Sequence, residues 1–203
     1  MKRTNLTNST ALFDVDGVIL NYPEGFDAWV VNKKNMDRIE GKYGIGYRMS
    51  DWYTVPPAPF ETLIYDFNDT VYAGNLKPYP DVIKAMKQAF NDFGTTYTLV
   101  TKFGNDPVLK RSRVQNVLKY IPVEAIEDFI FVNLNETKEA ALEQWRNTET
   151  LFVEDFYKNA LEANAMGIDC RVIERGYNLE EIAINKLKAI RDGKHLYELL
   201  QRQ

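Results

Sequence analysis

Two carboxylates near the start of the chain are the residues best suited to chemistry. Asp14 and Asp16 follow a short apolar run and precede Gly17. On an extended segment, side chains two residues apart point the same way, so their repulsion favours a bound cation or a shared proton. A calcium loop of the EF-hand type would need glycine at Ile19 and glutamate at Gly25. The remaining alternative is a pair of solvated carboxylates in a turn.

Polar residues also follow three later runs that are typical of strands. Thr101 and Lys102 follow the second run, Lys138 comes shortly after the third, and Glu154 and Asp155 end the fourth. The carboxyl ends of parallel strands meet at one edge of a sheet, so these groups are expected to lie beside the two aspartates. The predicted helix after the third strand begins near Lys138, where its dipole disfavours a cation unless an anion lies nearby.

Composition excludes most histidine and cysteine chemistry. The chain has 203 residues with a single histidine, His195, and a single cysteine, Cys170. A histidine-based triad, a thiolate zinc site and an intramolecular disulfide are therefore excluded. We expect Cys170 to be a small buried residue of an apolar strand rather than a nucleophile. Catalysis would then depend on carboxylates, hydroxyls, lysines and hard metal ions.

The elements that must position these residues alternate between strands and helices. Short apolar or β-branched runs predict strands, and apolar residues at helical spacing predict the helices between them. The predicted strands are 10–14, 96–101, 129–133, 150–154 and 169–173, and the predicted helices are 81–93, 107–120, 137–145 and 157–166. This alternation predicts an α/β fold, a Rossmann-like parallel sheet flanked by helices. Residues 179–203 are rich in charged residues and are predicted to be helical.

Residues 20–77 do not fit the alternation. They are rich in aromatic residues and hold three prolines close together, Pro56, Pro57 and Pro59. We predict a small, mainly helical cap, inserted after the first strand at the carboxyl edge of the sheet and placed to cover the site as a lid. The predicted domains are therefore an α/β core formed by 1–19 and 78–203, and a cap formed by 20–77.

Charge and hydropathy restrict the partners. The chain is 45% apolar and 27% charged, which is typical of a globular protein. Its 25 basic and 29 acidic residues give a net charge of −4, so no general positive field favours polymeric nucleic acid or an anionic membrane. No apolar run is long enough to span a bilayer, and we expect a cytoplasmic protein.

In this order, the motifs resemble those of the haloacid dehalogenase (HAD) superfamily of phosphatases. The matching positions are Asp14 and Asp16, Thr101, Lys138, and Glu154 and Asp155 with Asn159. Lys102 and Lys110 are rivals for the third-motif lysine, but only Lys138 lies between the third and fourth predicted strands. Receiver domains contain the same residue types in a different order. The resemblance covers most of the chain outside the predicted cap and the C-terminal stretch.

The resemblance implies a Mg²⁺-dependent phosphomonoester hydrolase that forms an aspartyl-phosphate. Asp14 would attack phosphorus, and Asp16 would protonate the leaving oxygen and then accept a proton from water. The Mg²⁺ ligands would be Asp14, the backbone carbonyl of Asp16, and Asp155. Glu154 would be either a further ligand or an outer group.

The resemblance also implies which residues bind the phosphoryl group. This set is Gly17, Thr101, Lys102 and Lys138. Lys138 would in addition keep the carboxylate of Asp14 ionised. Asn159 stands where many relatives have aspartate, so it would orient other groups and not act as a charged ligand.

Substrate choice would belong to the predicted cap. Residues 43–52, together with Phe60 and 78–80, are similar to the small helical cap of the 5'-deoxyribonucleotidases. The aromatic side chains Trp29, Trp52 and Phe60 could stack on a base or could form the core of the cap itself. The expected substrate is a small phosphorylated metabolite, and the narrower expectation is a (deoxy)nucleoside 5'-monophosphate.

Two other functions stay open at this stage. A phosphomutase or other phosphotransferase of the same superfamily would use the same aspartyl-phosphate and pass the phosphoryl group to a sugar. A non-catalytic phosphate-binding or partner-binding protein is the third alternative. The presence of Asp16 counts against it, because a binding protein has no need of a proton-carrying carboxylate.

Overall fold

The computed structural model of the protein describes residues 10–54 and 60–203. Within these ranges, six parallel strands form one sheet in the order β3-β2-β1-β4-β5-β6. The strands are β1 (Thr10–Phe13), β2 (Thr96–Lys102), β3 (Ile126–Val132), β4 (Leu151–Glu154), β5 (Asp169–Ile173) and β6 (Ala189–Ile190). The three neighbouring prolines, Pro56, Pro57 and Pro59, lie outside the described residues. The strand that carries the aspartates, β1, therefore lies between β2 and β4.

Eight α-helices are found in the same part of the chain. They are α1 (Tyr22–Lys34), α2 (Phe60–Asn68), α3 (Pro80–Phe93), α4 (Pro107–Leu118), α5 (Glu139–Leu142), α6 (Tyr157–Ala165), α7 (Leu179–Ile184) and α8 (Gly193–Leu200). None of these helices combines the length and the apolarity needed to cross a bilayer. Local sequence explains where α4 begins, because the Asp106 side chain accepts a hydrogen bond from the Val108 N–H at 2.6 Å and so caps the helix.

The central strands are apolar on both faces because both faces are covered. One face of the sheet packs in a cluster that includes Leu12, Val100, Phe152 and Cys170. The other face packs in a larger cluster that includes Ala11, Phe13, Leu99 and Val153. Continuous burial of this kind is expected for a parallel sheet between two helix layers. Cys170 is buried, which confirms the prediction of a small core residue.

Three details of the predicted elements were wrong. β3 begins at Ile126, three residues before the predicted start, because the exposed residues Glu127 and Asp128 hide it in the sequence pattern. The predicted helix 137–145 is a four-residue α5 that tightens into a 3-10 helix at Glu143–Trp145. The stretch 179–203 is not all helical, because the two residues of β6 add an edge strand too short to give a periodic signal.

The segment 20–77, called here the intervening segment, leaves the sheet after β1 and returns beside its own start. The Tyr79 N–H donates to the Ile19 carbonyl at 2.9 Å, and the Asn21 N–H donates to the Lys77 carbonyl at 2.8 Å. The described part of the segment holds α1, α2 and two 3-10 helices, Met49–Trp52 and Ala73–Asn75. Its aromatic residues pack around Phe26, which contacts the rings of Tyr22, Trp29, Tyr53, Phe60 and Phe67.

The intervening segment is attached to α4 by a buried amide. The side chain of Asn116 accepts a hydrogen bond from the Leu76 N–H at 2.9 Å and donates to the Leu76 carbonyl at 3.0 Å. Gly74 allows the close approach, because a Cβ there would lie 2.3 Å from the Ser112 hydroxyl oxygen. The segment is therefore held against the middle and the C-terminal half of α4, the helix that connects β2 to β3.

Candidate active site

A cavity of about 210 Å³ lies at the carboxyl edge of the sheet, between the strand ends and the intervening segment. The residues matched to the four motifs, together with Gly17 and Lys102, all line this cavity except Glu154. These lining residues are Asp14, Asp16, Gly17, Thr101, Lys102, Lys138, Asp155 and Asn159. The structure therefore brings together residues from four separate parts of the sequence, as parallel strands ending at one edge require.

Backbone pairing places the first carboxylate. The Asp14 N–H donates to the Val153 carbonyl at 2.9 Å, which continues the pairing of β1 with β4 for one residue past the strand end. The chain then turns at Gly17, where φ is +85°. A Cβ at this position would lie 2.1 Å from Oδ2 of Asp155. Glycine is therefore needed here both for the left-handed backbone and for the approach of the fourth-motif carboxylate.

Lys138 connects two of the carboxylates. Its Nζ lies 2.8 Å from Oδ1 of Asp14 and 2.6 Å from Oε1 of Glu154, and its side chain is 1% exposed. Burial alone would lower the pKa of Lys138, but the neighbouring charges of Asp14 and Glu154 raise it above its usual value. Of the rival lysines, Lys102 lines the cavity and Lys110 lies over the ring of Phe131.

Glu154 is fully buried, and its oxygens already accept several hydrogen bonds. Oε2 accepts from the N–H groups of Asp155 and Phe156, both at 2.9 Å. Oε1 accepts from Asn159 Nδ2 at 2.7 Å, in addition to Lys138. This carboxylate therefore fixes the turn that follows β4 and, with it, the position of Asp155.

Three residues after β5, which sequence reasoning missed, support the turns that follow β4 and β1. The Tyr177 hydroxyl donates to Oδ2 of Asp155 at 2.8 Å, and the Asn178 amide donates to the Asp155 carbonyl at 2.9 Å. Arg175 donates to the Gly17 carbonyl at 3.1 Å. The signal was present in the sequence, because the argument from strand ends applies equally to the polar residues that follow the strand ending at Ile173.

The charges of the buried cluster do not balance. One oxygen each of Asp14, Glu154 and Asp155 lie within 4.8 Å of one another, and three carboxylates against the one ammonium of Lys138 leave two negative charges when all are ionised. Burial raises the pKa of Asp14 to about 7 although Lys138 opposes the shift, and burial followed by the charges of Glu154 and Asp14 raises the pKa of Asp155 well above its usual value. The residues present therefore fit a divalent cation with oxygen ligands, such as Mg²⁺.

Asp16 faces a buried arginine that sequence reasoning also missed. Nη1 of Arg113 lies 3.2 Å from Oδ1 of Asp16. On the same helix, α4, Arg111 is exposed, whereas Arg113 is buried. Helical spacing contained the signal, because the buried residues Asn116 and Val117 stand three and four positions after Arg113.

Aromatic and apolar side chains form the rest of the cavity wall. Tyr47 of the intervening segment stacks on Phe156 of the core, with ring centroids 4.4 Å apart and planes at 16°. Trp52 also lines the cavity, whereas Trp29 and Phe60 belong to the cluster around Phe26. The described residues that the intervening segment contributes to the lining are uncharged: Tyr22, Pro23, Tyr47, Met49, Trp52, Ile64 and Asn68.

Solved structures of HAD-type hydrolases share this fold over nearly the whole chain. A HAD family hydrolase from Deinococcus radiodurans, with bound phosphate and sodium, has a TM-score of 0.63 at 12% identity over 98% of this chain and 97% of that one. A haloacid dehalogenase-like hydrolase from Streptococcus pneumoniae has a TM-score of 0.64 at 12% identity, over 97% and 99% of the two chains.

A third similar structure is the D,D-heptose 1,7-bisphosphate phosphatase from B. bronchiseptica, complexed with magnesium and phosphate. Its TM-score is 0.56 at 11% identity, and the match covers 96% of this chain and 99% of that one. At these identities the likeness shows the fold, and it confirms the predicted Rossmann-like α/β class. No known family model and no curated protein matches the sequence.

Replacing Lys138 with Met is expected to lower the free energy of unfolding by about 3 kcal/mol, because it leaves buried carboxylates without their ammonium partner. Urea unfolding without added metal measures the loss. The control is Lys158→Met, the same change at an exposed position of α6. Equal losses for the two variants would contradict the account of the buried cluster.

Proposed function

We propose that the protein is a Mg²⁺-dependent phosphomonoester hydrolase of the HAD superfamily, acting through an aspartyl-phosphate at Asp14. The observation that carries the proposal is the position of this carboxylate. Asp14 lies in a cavity, hydrogen-bonded to Lys138, with Asp16 and Asp155 lining the same cavity. A nucleophile, a second carboxylate for proton transfer and a cation at one sheet edge are the groups that phosphoryl transfer needs.

In the first half of the proposed reaction, an oxygen of Asp14 attacks phosphorus and the bond from phosphorus to the ester oxygen breaks. The electron pair of that bond stays on the ester oxygen, which takes a proton from Asp16 and leaves as an alcohol. In the second half, Asp16 accepts a proton from water as the water attacks phosphorus. The bond from phosphorus to Asp14 then breaks, and inorganic phosphate leaves.

The metal site in this proposal consists of Asp14, Asp155 and the backbone carbonyl of Asp16. Mg²⁺ bound there would neutralise charge on the phosphoryl oxygens. Glu154 acts as the outer group that holds Lys138 and the Asp155 turn, because its oxygens are already engaged by four donors. The similar heptose bisphosphate phosphatase is complexed with magnesium and phosphate, which supports Mg²⁺ as the cation of this proposal.

In the proposal, two lysine ammonium groups and a threonine hydroxyl bind the phosphate. Thr101 and Lys102 end β2 at the cavity, and Lys138 faces it from the start of α5. The Gly17 N–H donates to the Leu20 carbonyl at 2.8 Å, so the contribution of Gly17 is the space that its missing side chain leaves for Asp155.

We further propose that residues 20–77 act as a small cap that selects the substrate. The cavity of about 210 Å³ suits a small ester rather than a phosphorylated protein segment. Its aromatic, uncharged wall favours a flat leaving group without a second phosphate, for which stacking on rings such as Tyr47 is the available interaction. A (deoxy)nucleoside 5'-monophosphate fits this description.

Phosphate release with Mg²⁺ tests the reaction. The panel contains 4-nitrophenyl phosphate, sugar phosphates and all ribo- and deoxyribonucleoside 5'-monophosphates. We expect release to be fastest from the deoxynucleotides and to be abolished by Asp14→Asn, while Asp69→Asn at an exposed position leaves it unchanged. Folded protein that releases nothing from the panel would contradict the proposal, and fast transfer to a sugar with slow hydrolysis would identify a phosphotransferase.

Metal binding is tested by thermal unfolding without substrate. At about 100 times its Kd, Mg²⁺ is expected to stabilise the wild-type protein by about 2.7 kcal/mol, because it binds the folded state alone. Asp155→Asn should remove most of the Mg²⁺-dependent shift, since it deletes a charged ligand, while Asp69→Asn should keep it. A shift of equal size in Asp155→Asn would refute this ligand assignment.

A further inference from the structure

A guanidinium group is buried directly behind the carboxylate of Asp16. The side chain of Arg113 is 0% exposed, and its Nη1 lies 3.2 Å from Oδ1 of Asp16. Among the described residues, Asp16 is the one carboxylate in an ion pair with Arg113. Removing an arginine charge from water costs several kcal/mol, so a fully buried arginine needs a partner that compensates its charge.

Apart from Asp16, the described surroundings of Arg113 do little to compensate its positive charge. Its guanidinium carbon lies 5.1 Å from the ring centroid of Phe103. Its Nε, Nη1 and Nη2 are buried without a hydrogen-bond partner in the described part of the chain. The 3-10 helix Ala73–Asn75 packs on α4 beside it, where Gly74 approaches Ser112 closely. The arginine is thus enclosed on the side away from Asp16.

The two oxygens of Asp16 have different environments. Oδ1 is buried and faces Arg113, yet the side chain as a whole is 20% exposed and lines the cavity. The exposed part of the carboxyl group therefore lies away from the arginine. The ion pair holds Oδ1 against Arg113 and leaves Oδ2 as the oxygen that can face a bound ester.

We infer that Arg113 is a positioning residue that aims Asp16 at the leaving oxygen; this inference rests on the proposed function. As the bond from phosphorus to the ester oxygen breaks, its electron pair stays on that oxygen, and the proton moves there from Oδ2 of Asp16. An alcohol leaves, and Asp16 remains as a carboxylate paired with Arg113. The arginine touches neither the ester nor the phosphoryl group in this step.

A leaving-group series separates positioning from simple support of the fold. Proton transfer matters for an ester with a poor leaving group and hardly matters for one whose leaving group is stable as an anion. Loss of a purely structural arginine would lower activity on all esters alike. The value of kcat/KM reports the first half-reaction. The two roles therefore differ in how kcat/KM depends on the pKa of the leaving alcohol.

The experiment compares wild type with Arg113→Met, which keeps an unbranched side chain and removes the charge. The substrates are 2,4-dinitrophenyl, 4-nitrophenyl, phenyl and alkyl phosphates. We expect kcat/KM on phenyl and alkyl phosphates to fall about 100-fold, and on the dinitrophenyl ester by at most about threefold. Arg113→Lys should recover part of the loss on the poor leaving groups. Arg111→Met, an exposed position on the same helix, is the matched control and should behave as wild type.

Other patterns of loss in kcat/KM contradict the inference. An equal loss on all four esters, or no loss, in folded Arg113→Met would overturn it and leave the proposed function standing. If Arg113→Met does not fold, Arg113→Lys replaces it, with an expected loss of about tenfold on poor leaving groups alone. Wild-type protein that releases phosphate neither from these esters nor from the sugar phosphates and nucleotides of the panel above would overturn the proposed function, and the role of Arg113 with it.

Discussion

The ion pairs of one buried ammonium group fix the polar end of the sheet. Nζ of Lys138 contacts Asp14 after β1 and Glu154 at the end of β4, two neighbouring strands. Separating these charges inside the protein would leave each without a partner at a cost of several kcal/mol, so the two strand ends and the start of α5 keep one arrangement. Through its second oxygen, Glu154 also holds the turn that presents Asp155.

In the proposed function, the same cluster gives a physical reason for a cation to bind before a phosphate ester. Asp14, Asp16 and Asp155 all face the cavity, and a phosphate dianion would be repelled by them. Lys102 and Lys138 offset only part of this charge, and Arg113 is engaged behind Asp16. A divalent cation among the carboxylates would restore the balance, and the uncharged wall formed by the intervening segment would leave selection to shape and stacking.

Sequence reasoning predicted the fold and most of the candidate site because both follow from one rule. Apolar runs of strand length alternate with helices, and the residues at the carboxyl ends of such strands meet. The rule failed for β6, which has two residues and no pattern. The rule also covers the polar residues after β5, but Tyr177 and Asn178, which support Asp155, were not predicted as site residues. Side-chain pairing across the fold, such as Arg113 with Asp16, depends on tertiary approach, although the burial of Arg113 could have been inferred from helical spacing.

The proposed reaction depends on a covalent bond between phosphorus and Asp14. Its most direct test is borohydride reduction of protein quenched in acid during turnover, followed by mass spectrometry of the peptide that contains residues 10–20. An acyl phosphate is reduced to an alcohol, so we expect conversion of Asp14 to homoserine that depends on substrate and Mg²⁺. Turnover without this conversion, or conversion of a different carboxylate, would contradict it.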